Sequence, residues 1–244
     1  MKRGMNTTVA GIQRELRQLG NAEIARHSLR FFQTGPGQYG VGDRFLGIRV
    51  PALRVVAKKY RGISFEDVSE LLRSGFHEER LTALFILVRR YQKPLGSGDR
   101  DAIYRLYLDS TRWINNWDLV DCSAEHIVGA HLCQRNKRPL YKLAGSESLW
   151  ERRIAMMATG GYIKQRQFDD ALRIAEILLP DPEDLIHKAV GWMLREIGKR
   201  DIETEEHFLK CHYRNMPRTM LRYAIEKFPE QKRQRYLQGM IRDS

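Results

Sequence analysis

"LIHKAVGWMLREIGKR", residues 185–200, is a stretch whose apolar side chains recur three or four residues apart. That spacing puts them on one face of an α-helix. They are Val190, Met193, Leu194 and Ile197. The same period recurs along most of the chain, for example in "VAGIQRELRQL" and "FDDALRIAEILL", while the alternation typical of strands is scarce. The sequence therefore predicts an all-α fold.

The predicted helices are short and follow one another in pairs, at residues 64–92, 99–136, 149–179, 183–213 and 216–242. Each pair is about as long as one HEAT-like repeat, with a period of roughly 40 residues. Stacked antiparallel pairs form a curved solenoid with a concave face, and a compact helical bundle is the alternative. We predict one helical-repeat domain over residues 1–244. It has an N-terminal helical pair at about 8–33, a glycine-rich loop at about 34–50 and stacked helix pairs at about 51–242.

The charge balance favours a polyanionic partner. The chain has 42 Lys and Arg against 30 Asp and Glu, a formal net charge of +12 and a pI near 9.8. Nucleic acid is the first candidate and an anionic membrane the second, although a generically basic protein explains the charge equally well. The longest apolar run, Leu81 to Val88, is far too short to cross a bilayer. Phosphate-loop and dinucleotide motifs are absent from the sequence, so no cofactor is predicted.

The three cysteines form no CxxC pair, and their odd number and wide spacing suit reduced thiols in a cytoplasmic protein. One cluster invites a metal interpretation, namely Cys122, His126, His131 and Cys133. Helical spacing puts only the first two on one face, so the set does not complete a tetrahedral site. We therefore predict no metal site.

A stripe of cations around an indole lies on the other face of the first stretch. Its members are spaced four, three and four residues apart: Lys188, Trp192, Arg195 and Lys199. Such a stripe suits a phosphate backbone with a sugar or base against the ring, and an ordinary solvated face with a packed tryptophan explains it equally well. In "SLWERRIAMM", Arg152 and Arg153 point in different directions, so one of them can face a groove.

"NNWDLVD", residues 115–121, sets a carboxylate among indoles. Trp117 and Asp121 are four residues apart and share one helical face, with Trp113 predicted one turn earlier on the same stripe. A carboxylate in a basic groove repels phosphate but stabilises the cation that forms when an N-glycosidic bond breaks. A structural Asp121 paired with an arginine is the alternative, and it is favoured on the local sequence alone.

Four motifs in order, "RFLGIRVPALR", "NNWDLVD", "LWERRIAMM" and "KAVGWMLREIGKR", resemble the AlkD-type DNA alkylation repair family over roughly residues 20–230. The resemblance implies a HEAT-like fold with a basic concave face. It also implies a monofunctional DNA glycosylase of base excision repair, which removes cationic 3-methyladenine and 7-methylguanine from duplex DNA. A monomer without metal or cofactor, in a bacterial cytoplasm and associated with the nucleoid, is expected from the same resemblance.

The resemblance also implies residue roles. The family's catalytic aspartate falls on Asp121, its cleft tryptophans fall on Trp117 and Trp192, and its phosphate-binding arginines fall on Arg153 and Arg195. Lys188 and Lys199 are expected to assist in binding DNA. The sequence departs from the family at Asn116, where members often carry another tryptophan.

Two other functions are compatible with the same scaffold. A noncatalytic binder of distorted or branched DNA would hold DNA without releasing a base, but the retained Asp121 and Trp117 argue against it. A protein-interaction scaffold would show an apolar or mixed concave face, whereas the stripe from Lys188 to Lys199 is basic.

Overall fold

The structure is a computed structural model, and it describes residues 8–241. Within that range the chain is helical and forms no β-strand, apart from an isolated parallel bridge between Arg44 and Phe76. The predicted all-α class is confirmed. Residues 1–7 and 242–244 lie outside the described residues, and with them the last residue of the helical pair predicted at 216–242.

The helices form two compact units, which meet in sequence between Ile127 and Val128. The predicted single domain over 1–244 and the predicted curvature stay predictions. The helices of the first unit are α1 (Val9–Leu19), α2 (Ala22–Phe31), α3 (Val50–Lys59), α4 (Phe65–Leu72), α5 (His77–Gln92), α6 (Asp99–Asp109) and α7 (Trp117–Asp121). A 3-10 turn, Thr111–Trp113, precedes α7, and a π-helical turn, Glu125–Gly129, follows it.

The helices of the second unit are α8 (Ala130–Leu132), α9 (Arg138–Ala144), α10 (Leu149–Ala158), α11 (Gly160–Lys164), α12 (Asp169–Ile177), α13 (Asp184–Gly198), α14 (Ile202–His212), α15 (Arg218–Ala224) and α16 (Glu230–Leu237). A 3-10 turn, Ile225–Lys227, follows α15. The predicted pairs are recognisable in α4–α5 and in α13–α14, whereas the second halves of the pairs at 99–136 and 149–179 are broken into shorter pieces.

The central helix of each unit is buried against several neighbours. In the first unit α5 packs on α3 and α4, and residues 77–88 are all buried. In the second unit α13 packs on α10, α14 and α15. Gly191 makes the contact with α15 possible, because a Cβ at this position would lie 2.4 Å from the carbonyl oxygen of Met220. The second core therefore depends on a residue without a side chain at the middle of α13.

The loop at residues 32–49 is fixed to the start of α5 by one buried carboxylate. Glu78 accepts hydrogen bonds from the backbone N–H groups of Leu46 at 2.8 Å, Gly47 at 2.7 Å and Ile48 at 3.3 Å. Gly47 has a φ of +79°, and a Cβ there would lie 2.0 Å from the carbonyl oxygen of Asn21. The loop is therefore held between α2 and α5 by groups that leave little freedom.

Candidate functional site

The helix α7 presents Trp117 and Asp121 on its outer side. Both residues are partly exposed, whereas Leu119 and Val120 between them are fully buried. The helix begins at Trp117 because the buried Asn116 side chain accepts a hydrogen bond from the backbone N–H of Trp117 at 2.8 Å. Asp121 ends the helix, so the carboxylate lies at the edge of the core and not inside it.

The prediction that Trp113 continues the same stripe is wrong. Trp113 lies in the 3-10 turn, and the chain leaves helical geometry between that turn and α7 because Asn116 starts a new helix. Its ring lies instead beneath the guanidinium groups of Arg73, at 5.0 Å, and Arg112, at 4.7 Å. Trp113 therefore contributes to a cation–π cluster separate from the α7 helix.

Two phenylalanines support the Trp117 ring: Phe31, the last residue of α2, and Phe32, which follows it. Phe32 stacks on Trp117 with ring centroids 5.5 Å apart, and Phe31 meets it edge-on at 5.8 Å. Phe31 is 55% exposed, which is unusual for so large an apolar side chain. The outer side of α7 therefore continues into an exposed aromatic surface that the sequence motifs do not indicate.

A buried network of ion pairs and hydrogen bonds fixes the inner side of α7 to α5 and to the 32–49 loop. His77 is 2% exposed, and its Nε2 lies 2.8 Å from Oδ2 of Asp118, while its Nδ1 lies 3.4 Å from Oδ2 of Asp43. Arg80 donates to Oδ1 of the same Asp43 at 2.6 Å, and Asn116 donates to its Oδ2 at 3.3 Å. Two residues of the NNWDLVD segment are therefore bound to the start of α5 and to the loop.

The network keeps His77 protonated at neutral pH. Burial alone would lower the pKa of His77, but the negative charge and hydrogen bond of Asp118, with the hydrogen bond of Asp43, raise this pKa to about 9. The ring also packs against both Phe32 and Phe45, with centroids 4.9 Å from each, and those two rings stack on each other at 5.1 Å. The imidazolium thus connects the aromatic surface to the ionic network, and the sequence contains no short motif that predicts this arrangement.

In the second unit, α13 carries the stripe predicted from the sequence on its solvent side. The apolar side of α13 is buried, as predicted. On the stripe, Trp192 and Arg195 are partly exposed, and Lys199 is exposed just beyond the last turn. Each cation has a carboxylate partner. Lys188 pairs with Asp184 at 2.7 Å, Lys199 pairs with Glu196 at 2.5 Å, and Arg195 pairs with Glu226. The stripe is therefore a row of ion pairs around an indole rather than a purely cationic surface.

Of the two carboxylates near Arg195, Glu205 and Glu226, only Glu226 carries a full charge at neutral pH. Burial, and then the neighbouring Glu206, raise the pKa of Glu205 to about 8, although Arg195 and Lys232 act to lower it. Glu205 is therefore mostly neutral near pH 7. The charged partner of Arg195 is Glu226, whose side chain is 47% exposed. The Arg195 side chain itself is only 15% exposed, so solvent reaches this ion pair mainly from the side of Glu226.

Arg152 and Arg153 both connect α10 to the region where α13 begins. Arg153 is 4% exposed, and its Nη1 donates to the carbonyl oxygen of Leu185 in the first turn of α13. Arg152 donates from Nε to Asp181 at 2.6 Å and from Nη1 to the carbonyl oxygen of Glu147 at 2.8 Å. The predicted phosphate contact of Arg153 stays a prediction, and the structure adds a role in positioning α13.

Among residues 8–241, no group of three or more His, Cys, Asp and Glu side chains is arranged to hold a metal ion. Burial raises the pKa of the Cys122 thiol, as do the nearby carboxylates of Asp118 and Asp121. Cys133 contacts Gln165, and His131 contacts Arg135. Within the same described range, the structure contains no helix with the length and apolar character needed to span a membrane.

Two solved structures are similar to this chain in fold. A protein titled "Predicted DNA alkylation repair enzyme" from Enterococcus faecalis aligns with a TM-score of 0.66 and 17% identity, over 86% of this chain and 97% of that chain. AlkD2 from Streptococcus mutans aligns with a TM-score of 0.53 and 16% identity, over 91% of this chain and 97% of that chain. The fold is therefore of the helical-repeat class found in those proteins, as the sequence predicted.

The family described as "DNA alkylation repair enzyme" matches residues 12–228 of the sequence. The match covers most of the chain, which therefore belongs to the DNA alkylation repair enzyme family. The resemblance inferred from the four motifs is confirmed. No curated protein sequence matches the chain.

Proposed function

We propose that this protein is a monofunctional DNA glycosylase that hydrolyses the N-glycosidic bond of cationic alkylated purines, such as 3-methyladenine and 7-methylguanine, in duplex DNA. Family membership supports a role in DNA alkylation repair. The observation that carries the finer proposal is the partly exposed Asp121, which ends the short helix that Trp117 begins. A carboxylate held beside an indole at the protein surface suits a sugar that becomes positively charged.

The proposed reaction requires no acid from the protein. Alkylation at N3 or N7 gives the purine a positive charge, so the base leaves as a neutral molecule and takes the electron pair of the C–N bond. The sugar is left as an oxocarbenium-like cation. Asp121 stabilises this cation and orients a water molecule, whose oxygen adds to the sugar while its proton passes to the carboxylate or to solvent. The products are the free base and an abasic site.

The remaining predicted site residues bind the substrate in this proposal. Trp117 and Trp192 hold deoxyribose against their indole faces. Arg195 binds a backbone phosphate, assisted by the cations at each end of the α13 stripe, Lys188 and Lys199. Arg153 binds a second phosphate in this proposal. It is buried in the protein without DNA, where it also orients the start of α13 through its hydrogen bond to the Leu185 carbonyl.

The decisive test measures free bases released from duplex DNA by mass spectrometry. We expect the protein to release 3-methyladenine and 7-methylguanine from methylated duplex in single-turnover conditions. A duplex containing uracil is the matched substrate control, because uracil is a neutral base that gains no help from leaving-group charge. Binding of methylated duplex without release of any base would contradict the proposal and favour the noncatalytic DNA binder. Efficient release of uracil would contradict the mechanism.

The ion pair between Arg195 and Glu226 gives a separate prediction. If Arg195 binds phosphate, Glu226 competes with DNA for the same guanidinium, so Glu226→Gln should tighten duplex binding. Because Glu226 is half-exposed and solvent screens the pair from that side, we take the upper end of the range for surface pairs, about 1 kcal/mol, and expect a gain of about fivefold. Duplex affinity is measured by fluorescence anisotropy at fixed salt.

The matched control for this prediction is Glu203→Gln, which removes one exposed carboxylate of α14 and so gives the same change in net charge. We expect a smaller gain from the control. An equal gain from both variants would show that only net charge matters and would remove the specific role of Arg195.

A further inference from the structure

A second group of cations lies in the first unit, outside the predicted site residues. A cleft of about 210 Å³ is formed where α3, α5 and the segment after α7 meet. Its polar lining consists of Arg54, Arg89, Gln92, Cys122 and His126, and its apolar lining consists of Ala57, Phe85 and Val88. Cys122 directly follows Asp121 in the chain. The cleft therefore begins one residue from the proposed catalytic carboxylate.

The cations of this cleft differ from those of the α13 stripe in having no carboxylate as an ion-pair partner, although Asp118 and Asp121 lie near enough to raise the pKa of Cys122 in the lining. Among the residues that the structure describes, no carboxylate pairs with Arg54, Arg89 or His126. The next residue on α5 provides a comparison, since Arg90 binds both oxygens of Asp99, each at 2.8 Å. Two arginines that converge on a cleft, neither of them paired with a carboxylate, form a site suited to an anion.

The cleft is also partly preorganised. The guanidinium of Arg54 lies over the Phe85 ring, 4.3 Å from its centroid, and Phe85 is buried in α5. Stacking on a buried ring fixes the plane of a guanidinium and leaves its edge available for hydrogen bonds. Cys122 lines the same space as a neutral thiol, because burial raises its pKa, and it adds no negative charge of its own to the cleft.

We propose that the cleft bounded by Arg54, Arg89 and His126 binds one phosphate of the DNA backbone. The two guanidinium groups supply charge-assisted hydrogen bonds, and the imidazole of His126 and the amide of Gln92 supply further donors. This inference rests on the proposed DNA substrate. Because Cys122 in the cleft lining directly follows Asp121 in the chain, the bound phosphate would belong to a nucleotide near the one that is hydrolysed in the proposed reaction.

The test uses undamaged duplex, so it is decided by binding and does not depend on base release. The slope of log affinity against log salt falls by about 0.9 for each phosphate that the protein no longer neutralises. We expect Arg54→Gln/Arg89→Gln to reduce the slope by about 0.9, the value for one shared phosphate, and not by about 1.8, the value for two separate phosphates. Arg54→Lys/Arg89→Lys keeps both charges and should retain the wild-type slope while binding DNA more weakly.

Two controls separate the cleft from general electrostatics. Arg105→Gln removes an exposed arginine of α6 in the same unit and should leave the slope unchanged. Arg89→Gln alone should weaken duplex binding and reduce the slope by less than the double variant, because Arg54 still faces the shared phosphate. Because Arg89 has no partner among the described residues, this single variant removes no internal ion pair and covers the case in which the double variant fails to fold.

An unchanged slope in folded Arg54→Gln/Arg89→Gln and Arg89→Gln, or no duplex binding by the wild-type protein, would overturn the proposal. Calorimetry with inorganic phosphate alone distinguishes the other source of the same anion. Binding of inorganic phosphate that disappears in Arg89→Gln, together with an unchanged DNA slope, would identify a site for free phosphate and overturn the assignment to DNA.

Discussion

Asp121→Asn is expected to reduce the single-turnover rate of 7-methylguanine release by a hundredfold or more while duplex affinity stays equal or improves. Loss of one preorganised electrostatic group typically costs on the order of 2.7–4 kcal/mol of transition-state stabilisation. The asparagine keeps the shape of the side chain at the end of α7 but removes its charge. Affinity is expected to rise slightly, because a carboxylate that repels phosphate is gone.

The matched control for this variant is Asp109→Asn, which removes an exposed carboxylate at the end of α6 and makes the same change in net charge. We expect near-normal release from the control. Near-normal release from Asp121→Asn would remove the proposed mechanism, even if the protein proved to be a glycosylase. A fall in both rate and duplex affinity would instead indicate that Asp121 holds the local structure.

His77→Ala is expected to destabilise the first unit by about 3–5 kcal/mol, because it leaves buried carboxylates without their shared cation. Asp118 would lose its hydrogen bond to the imidazolium at 2.8 Å, and Asp43 would keep only Arg80 and Asn116. The variant also removes the ring packed against both Phe32 and Phe45. Denaturant unfolding followed by helical circular dichroism measures the loss, with the exposed His207→Ala on α14 as control, expected within about 0.5 kcal/mol of wild type.

The pH dependence of the same difference tests the charge on His77. The pKa of His77 is raised from 6.5 to about 9 in the folded protein, so its contribution is fully present below about pH 6.5 and is lost as pH rises through about 9. The stability gap between wild type and His77→Ala should therefore be larger at about pH 6 than at about pH 10. A gap that does not change over this range would show that His77 acts only through packing.

The sequence was sufficient to predict the helical class and the outer side of α7. Both follow from short-range periodicity. A spacing of four residues places Trp117 and Asp121 on one face of any α-helix, independently of contacts with distant parts of the chain. The buried side of α13 follows for the same reason. Trp113 shows the limit, because periodicity does not reveal that Asn116 interrupts one helix and starts another.

The network beneath α7 could not be predicted from these patterns. His77 is separated from Asp43 by 34 residues and from Asp118 by 41 residues, and charged residues at a helix start usually indicate solvent exposure. The ion pairs of α13 were missed for a related reason. Glu226, the partner of Arg195, comes from the turn after α15, so the sequence shows the cation but not the acid that the fold brings to it.

The anchoring of the 32–49 loop by Glu78 bears on the rate at which the proposed enzyme engages a damaged nucleotide. Three amide groups held by one carboxylate fix residues 46–48, and the preceding Phe45 stacks on Phe32 with ring centroids 5.1 Å apart, so the loop supports the Phe32 ring in the folded protein itself. The conformational entropy of these aromatic side chains is lost when the chain folds, so it does not weaken each binding event with DNA. Under the proposed function, contact between this surface and an altered nucleotide requires no slow closure of the loop.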